Sequence, residues 1–339
     1  MNQLERRYRR VLRLLPADYR AVWEEDMVDT FLAGVEPADP EEAEFVADYG
    51  RPGAAEVVSV VGLAVRLRLG GTGAVPTAFA RGEAVRRVAL VGLVVHASTA
   101  GAGIAAQLWS PLRFPGFVPT RLEAGWALAE LVWVAAFVAL VLGARRGAVW
   151  AAGLGLGVVA VGSGYRLVAD VGAGLGVVAY ELLLAALPVL ALAAFHRDAP
   201  PVRARPWLLA LPVGVVLLSA VLLATQWPGP GVVLDWPGTL CVAVVAAIVV
   251  NLVRGRPAPW SGTLLVLALA VFGERVVTLL DHLSRDGEPG ALAVVGAVQA
   301  VVVLVVAVPL ALAPLSARGA VRADVPSDDL DHEAHRPGP

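Results

Sequence analysis

The residues of this 339-residue sequence that could do chemistry are charged side chains within otherwise apolar stretches. A charge at the centre of a membrane-spanning helix costs about 2.5–3.5 kcal/mol on insertion scales, so it is retained for pairing or for function. Seven such residues form a candidate intramembrane polar site, namely His96, Glu130, Arg166, Asp170, Glu181, Glu274 and Arg275, with Asp281 beside them.

These charges admit three interpretations. The first is structural: neighbouring helices neutralise each other through pairs such as Arg166 with Glu181 or Arg166 with Glu130. The second is a polar cavity, open to the outer side of the membrane, that binds a ligand or an ion. The third is a proton relay through His96 and the two glutamates. The sequence leaves all three open.

The residue types exclude several chemistries. All 27 basic residues are arginines, so a P-loop lysine, a Schiff-base lysine and a catalytic lysine dyad are excluded. Cys241 is the single cysteine, which excludes an internal disulfide and cysteine-based zinc or iron–sulfur centres. Glycine-rich runs such as 153–157 follow no strand pattern and favour close helix packing over nucleotide binding. We therefore predict no catalytic residue, no cofactor and no metal centre, and we expect a protein that is not an enzyme.

Composition places most of the chain in a lipid bilayer. Hydrophobic residues make up 58% and charged residues 17%, whereas a soluble domain carries about 25% charged residues. Apolar runs of about 17–25 residues have the length that a helix needs to cross hydrocarbon. The predicted fold is an all-α, polytopic membrane bundle of eight transmembrane helices. The predicted spans are 88–108, 124–143, 148–167, 173–195, 207–225, 237–253, 261–280 and 291–315.

Arginine placement orients these spans. With the N-terminus in the cytoplasm, twelve arginines flank the spans on the inner side and three, Arg113, Arg121 and Arg285, lie on the outer side. This excess agrees with the positive-inside rule and alternates from one loop to the next. The sequence therefore predicts that both termini are cytoplasmic.

A faint internal repeat relates the two halves of the spanning region. Arg166 ends the third span and Arg275 lies in the corresponding part of the seventh. Pro188 in the fourth span and Pro309 in the eighth each precede a similar Leu- and Ala-rich run. Two parallel four-helix halves would produce this pattern. Chance similarity among Ala-, Leu- and Val-rich helices is the alternative.

Residues 1–85 are polar and are predicted to form a cytosolic helical module and an amphipathic linker. Apolar residues at helical spacing predict helices over 2–15, 17–33, 40–49 and 53–69. Pro16 separates the first two helices, because proline suits the first turn of the second. A candidate partner-docking surface consists of Tyr8, Tyr19, Trp23 and Met27.

Charge is segregated along this module. Charged residues up to Arg20 are mostly arginines, whereas those between positions 24 and 48 are all acidic. One interpretation is that the first helix pairs with the second through these charges. A second is a docking surface for a partner protein, and a third places the arginine-rich first helix on anionic lipid.

The run Leu4–Arg20 (LERRYRRVLRLLPADYR), followed by Glu24-Glu25-Asp26-Met27, resembles the HAAS signalling domain, a small helical N-terminal module. That module precedes multi-pass membrane proteins of high-GC bacteria and is often encoded beside PadR-type transcriptional regulators. The resemblance covers at most residues 1–70 and brings no catalytic residues. It implies a signalling or regulatory role.

We expect a multi-pass protein of the bacterial cytoplasmic (inner) membrane whose cytosolic N-terminal helices dock a regulatory protein. The alternative is a transporter or permease-like subunit with a polar site in the outer half of the bundle. The expected partners are the lipid bilayer and a cytosolic regulatory protein, with no nucleic acid, and a homo-oligomer is left open. The predicted domains are the module with its linker (1–85), the spanning region (86–315) and a disordered acidic cytosolic tail (316–339).

Overall fold

The chain is helical nearly throughout the part that the structure describes. The computed structural model describes residues 2–35, 39–70, 76–113, 120–169, 174–195, 202–226, 228–255, 258–286 and 290–323. Within these ranges the chain forms fourteen α-helices and no strand, which confirms the predicted all-α fold.

Four short helices precede the spans at the predicted positions. The apolar side predicted for the first of them is buried and includes Leu4, Tyr8, Leu12 and Leu15. It packs against Val28 of the second helix and against the fourth helix. The four are α1 (Gln3–Leu12), α2 (Ala17–Val35), α3 (Pro40–Tyr49) and α4 (Ala54–Arg68).

In the described part of the chain, eight helical segments are long and apolar enough to cross a membrane, which confirms the predicted number of spans. Backbone N–H and C=O groups bond to one another within each helix, which hydrocarbon requires because it offers no other partner. The segments are α5 (Pro76–Arg113), α6 with α7 (Arg121–Glu130 and Val132–Val141), α8 (Arg145–Val168), α9 (Leu175–Ala194), α10 (Ala204–Ala224), α12 (Trp236–Arg254), α13 (Ala258–Asp286) and α14 (Ala291–Ala323), with a short α11 (Pro228–Val233) before α12.

Two helices extend beyond the predicted spans. The first spanning helix begins at Pro76, so residues 76–85 are helical and continuous with it. The last one continues to Ala323, because alanine and arginine in 316–323 have high helix propensity. The rest of the predicted tail, 324–339, lies outside the described residues.

The second span is interrupted immediately after Glu130. The amide of Leu131 bonds to the carbonyl oxygen of Leu128 at 3.2 Å, which is the tighter i→i−3 pattern of a 3₁₀ turn. The helix then resumes at Val132. A sequence without proline at this position gave no signal for the interruption.

The chain divides into two compact units whose boundaries fall inside helices. Unit 1 comprises Met1–Ala100, Ala127–Gly157 and Ala185–Pro212, and unit 2 comprises Gly101–Trp126, Val158–Leu184 and Val213–Pro339.

Close contacts at glycine hold unit 1 together. Gly92 of α5 lies against the ring of Pro188 in α9, and Gly155 of α8 lies against the indole of Trp133 in α7. A methyl group at either glycine would overlap its neighbour, since a Cβ on Gly155 would lie 2.6 Å from Trp133 Cε2. Small residues at such positions allow membrane helices to approach closely.

Arg145 ties two helices of unit 1 together at their ends. Its Nη2 donates hydrogen bonds to the carbonyl oxygens of Leu192, Ala193 and Phe195 at 3.1, 3.0 and 2.7 Å. These carbonyls end α9, where no further backbone amide can reach them and where a cation is favoured. The guanidinium also lies 4.5 Å from the centre of the Phe195 ring.

In unit 2, α12, α13 and α14 pack around a shared apolar core. Its buried side chains include Ile248 of α12, Leu264 and Ala268 of α13, and Val303 and Leu310 of α14. Cys241 is buried in the same cluster.

Gly155→Ala should destabilise the protein and Gly153→Ala should not. The first variant places a methyl group against Trp133, and overpacking of this kind costs about 1–3 kcal/mol. Gly153 lies on the same helix, and a methyl group added there would have nothing within 4 Å, so its variant is a matched control. Thermal unfolding of the detergent-purified protein measures the difference, and equal midpoints for the two variants would contradict the packing described here.

Candidate polar site in the spanning helices

Two helices of unit 2 come close enough at small residues to bring charged side chains together. The ring of Tyr180 in α9 covers Gly273 in α13, where a Cβ would overlap the phenol. The Tyr180 hydroxyl donates to the carbonyl oxygen of Ala270 at 2.9 Å. One turn away, Gly176 faces Val277. This contact positions two carboxylates. Glu181 follows Tyr180 on α9, and Glu274 follows Gly273 on α13.

Arg166 and Glu181 form an ion pair between α8 and α9. The sequence predicted either this pair or a pair between Arg166 and Glu130. Arg166 Nη1 lies 3.2 Å from Glu181 Oε1, and Arg166 Nη2 contacts Glu181 Oε2. The same Nη2 donates to the hydroxyl of Ser163 at 3.2 Å. Arg166 lies two residues before the end of α8, so its side chain can extend toward the membrane–water interface.

Glu274 lies beside this pair and is the most enclosed carboxylate of the site. It is 3% exposed. Its Oε2 has no hydrogen-bond partner among the residues that the structure describes. A buried acceptor without a partner carries a desolvation cost of about 1–3 kcal/mol.

Arg275 follows Glu274 on α13 but contacts different helices. Its Nη1 donates to Asp235 Oδ2, and its guanidinium lies against Gly296 of α14, where a Cβ would be 3.0 Å from Nε. The side chain is 3% exposed. Within the described part of the chain, Nε and Nη2 have no hydrogen-bond partner. Glu274 and Arg275 are therefore neighbours on α13 but belong to two separate charge clusters.

Asp235 is a site residue that the sequence analysis missed. It precedes α12 and caps it, since Asp235 Oδ1 accepts a hydrogen bond from Gly238 N at 3.1 Å. The sequence Asp235-Trp236-Pro237 contains a signal for this role, because an acidic residue followed by proline marks a helix N-terminus. Its second role, neutralising Arg275, depends on a contact 40 residues away that no local pattern indicates.

Gln299 of α14 belongs to the same end of α12. Its Nε2 donates to the carbonyl oxygen of Val233 at 2.9 Å, and the same nitrogen would be 3.0 Å from a Cβ on Gly238. Gln299 in the eighth span corresponds to Glu181 in the fourth span if the two halves are related by the predicted repeat. Glu181 binds an arginine, whereas the hydrogen bond of Gln299 goes to backbone, so the repeat stays a prediction.

The remaining predicted site residues lie elsewhere. His96 belongs to unit 1, where its ring stacks on Trp133 with 4.5 Å between ring centres. Glu130 also belongs to unit 1 and ends α6 at the interruption of the second span. Asp281 is half-buried on α13 and its carbonyl oxygen accepts from the Ser284 hydroxyl at 2.7 Å. Asp170 lies outside the described residues.

The predicted docking surface needs one correction. Tyr8 is 2% exposed, so it is not available to a partner. Its ring stacks on Phe31 with 4.0 Å between ring centres, and its hydroxyl donates to Glu56 Oε1 at 2.8 Å. Burial, together with the Glu56 carboxylate, raises the pKa of Tyr8. Tyr8 fills the core because an amphipathic aromatic side chain can bury its ring and still satisfy its hydroxyl.

The other three docking residues differ in exposure. Tyr19 and Met27 are half-buried and pack against the core of α1, α2 and α4. Trp23 is 48% exposed. Of the four predicted docking residues, Trp23 is therefore the one that is exposed, with about half of its side chain at the surface of α2.

The predicted charge pairing between α1 and α2 is confirmed. Arg9 Nη2 lies 2.7 Å from Glu25 Oε2, and Arg9 Nε lies 3.0 Å from Glu5 Oε1. Glu24 is 3.6 Å from Arg9 and pairs with Arg20 at 3.5 Å. The hydrogen bond from Arg9 lowers the pKa of Glu25. These exposed pairs orient the two helices more than they stabilise them, because water screens such interactions.

The spanning site can hold charges in place, and Glu274 is the group in it that could bind a cation or a proton. No protein-family model matches this chain, and neither a characterised protein nor a solved structure matches it. The geometry of the polar site is therefore the basis for its proposed chemistry.

Asp235→Asn should destabilise the protein more than Glu181→Gln does. Asparagine keeps the helix cap but leaves the enclosed Arg275 charge without a counterion, and breaking a buried pair costs about 3–5 kcal/mol. Glu181→Gln affects a pair near a helix end, where the expected cost is about 1 kcal/mol or less. Detergent-purified variants are compared by thermal unfolding, and an equal or smaller loss for Asp235→Asn would contradict the assignment.

Proposed function

We propose that this chain is a non-enzymatic signalling or regulatory membrane protein whose N-terminal helices dock a cytosolic protein. The observation that carries the proposal is an exposed apolar pair on α2. Val22 is 68% exposed and Trp23, beside it, is 48% exposed. An exposed tryptophan next to an exposed aliphatic residue is typical of binding surfaces, because both side chains gain free energy when a partner covers them.

Carboxylates surround this apolar pair. Asp18, Asp26 and Asp29 are exposed on the same side of α2, and none of them forms an ion pair within the described residues. We call Asp18, Val22, Trp23, Asp26 and Asp29 the acidic face. A solvated helix surface would explain the carboxylates but not the indole among them. A protein with a basic surface and an apolar socket fits both features.

The resemblance of residues 1–70 to the HAAS signalling domain supports the same role. PadR-type regulators, the class that the resemblance suggests as partners, bind DNA and therefore carry basic surfaces. The proposed location is the bacterial cytoplasmic membrane with both termini in the cytoplasm. The excess of arginine in alternate loops supports that orientation.

The spanning part has a structural role in this proposal. Arg166 pairs with Glu181, and Arg275 pairs with Asp235. Ion pairs between helices satisfy charges that hydrocarbon would otherwise penalise. The spans then anchor the module and hold a defined arrangement that a signal could alter.

Transport is the alternative, and one observation favours it. Glu274 is enclosed, and its Oε2 lacks a partner among the described residues. A carboxylate oxygen in such a position is suited to bind a cation or a proton. In this alternative Glu274 and Glu181 would form part of a path through the outer half of the bundle.

Site-specific photo-crosslinking in intact cells tests the docking proposal. A photoreactive phenylalanine at position 23 should yield one discrete adduct with a soluble protein, because Trp23 would lie in the interface. The adduct should weaken in an Asp26→Asn/Asp29→Asn background, in which the acidic face loses two charges. Mass spectrometry of the adduct identifies the partner.

The matched control carries the same photoreactive residue at position 45. Phe45 is exposed on α3 of the same module and is not one of the residues of the acidic face. Equal adducts at positions 23 and 45, or none at position 23, would contradict docking and favour the transport alternative. An adduct with a second copy of this chain would indicate a homo-oligomer instead of a separate partner.

A further inference from the structure

A notch on the side of α1 away from α2 contains three arginines. It lies between α1, the turn after α3 and the first turn of α4, all within unit 1. Three apolar side chains complete its wall. The residues that line it are Arg7, Arg10, Val11, Arg51, Pro52 and Val57.

Backbone carbonyls fix the position of one of these arginines. Arg7 Nη1 donates to the carbonyl oxygens of Tyr49, at 3.0 Å, and Gly50. Gly50 brings the turn against α1, since a Cβ there would lie 3.4 Å from Leu4 Cδ1. Carbonyl oxygens are neutral, so they orient the guanidinium and leave its positive charge uncompensated.

The other two arginines of the notch are not neutralised either. Arg10 and Arg51 are exposed, and neither forms an ion pair among the residues that the structure describes. The situation differs on the opposite side of α1, where Arg9 contacts three glutamates. On one side of α1 the arginine therefore contacts carboxylates, whereas on the other side the arginines form no ion pair within the described residues.

The start of α4 adds further anion-binding groups at the rim of the notch. Gly53 is the N-cap of α4 and offers no side-chain hydrogen bond, so the first amides of this 15-residue helix lack a side-chain cap. Such amides and the helix dipole favour an anion. One carboxylate, Glu56, lies in this first turn, and its Oε1 accepts a hydrogen bond from the hydroxyl of Tyr8.

We propose that this notch binds a phosphate group. Three guanidinium groups supply paired N–H donors for phosphate oxygens, and their combined charge suits a dianion better than a single carboxylate. The apolar wall of Val11, Pro52 and Val57 would contact the organic part of a phosphate ester. The ester is either a lipid headgroup or a soluble phosphorylated compound, and both present the same oxygens.

This inference is independent of the docking proposal, because it concerns other residues and another side of the module. A phosphate in the notch and a protein on the acidic face could bind together. Loss of one interaction would leave the other measurable.

Calorimetric titration of the full chain in neutral detergent tests the proposal. The soluble probes are inorganic phosphate and glycerol 3-phosphate, and the lipid probe is phosphatidic acid in the same micelles, with phosphatidylcholine as blank. The notch variant is Arg10→Gln/Arg51→Gln. The control variant, Arg6→Gln/Arg13→Gln, removes the same charge from exposed positions of α1 and its C-cap, outside the notch.

The notch variant should bind at least one phosphate probe roughly a hundredfold more weakly than the wild type, since it loses two charge-assisted hydrogen bonds and each costs about a factor of ten. The control variant should stay within about twofold, because Arg6 and Arg13 do not line the notch and act on the probe only through screened, longer-range charge. Binding of the soluble probes assigns the site to a soluble phosphate ester, and binding of phosphatidic acid alone assigns it to a lipid headgroup. Equal losses in both variants, or a wild type that binds no probe, would overturn the proposal.

Discussion

Neutralisation of charge in a medium without water is the constraint on which the spanning part of this protein depends. Hydrocarbon offers no solvent to a carboxylate or a guanidinium, so each must find an opposite charge or reach the interface. Arg166 and Glu181 satisfy this requirement between α8 and α9. Arg275 and Asp235 satisfy it between α13 and the start of α12. Each pair also links particular helices, and loss of the counterion should be costly for the enclosed Arg275 but not for Arg166, whose side chain is 39% exposed.

Glycine makes these pairs possible by allowing helices to approach. Gly273 accepts the ring of Tyr180, and this contact brings Glu181 and Glu274 to adjacent positions. Gly296 gives the Arg275 guanidinium a place against α14. The four N-terminal helices are held together differently, because Arg9 binds the carboxylates of α2 while Tyr8 and Leu12 fill the core beneath. Exposed ion pairs orient that module, and ion pairs between helices link the spanning segments.

Local pattern was sufficient to predict the helices and insufficient to predict most of the site. Apolar run length predicted all eight spans, and Pro16 predicted the boundary between the first two short helices. The Arg166–Glu181 pair was predictable because its members flank one short loop between consecutive spans. Asp235 was missed because its partner lies 40 residues away and the capping signal gives no hint of a charge pair. Helical spacing is consistent with burial of Tyr8 in the core of the module. Because tyrosine has both an apolar ring and a polar hydroxyl, its residue type is equally consistent with a docking surface, and the sequence could not decide between the two.

In the proposed topology, eight helices cross the membrane with the arginine-rich loops on the inner side. Fusions of a dual reporter after residues 115, 200 and 230 measure this topology, because alkaline phosphatase is active only outside the cytoplasm and green fluorescent protein matures only within it. This topology predicts phosphatase activity at 115 and 230 and fluorescence at 200. Fluorescence at 115 or 230 would contradict both the number of spans and their orientation.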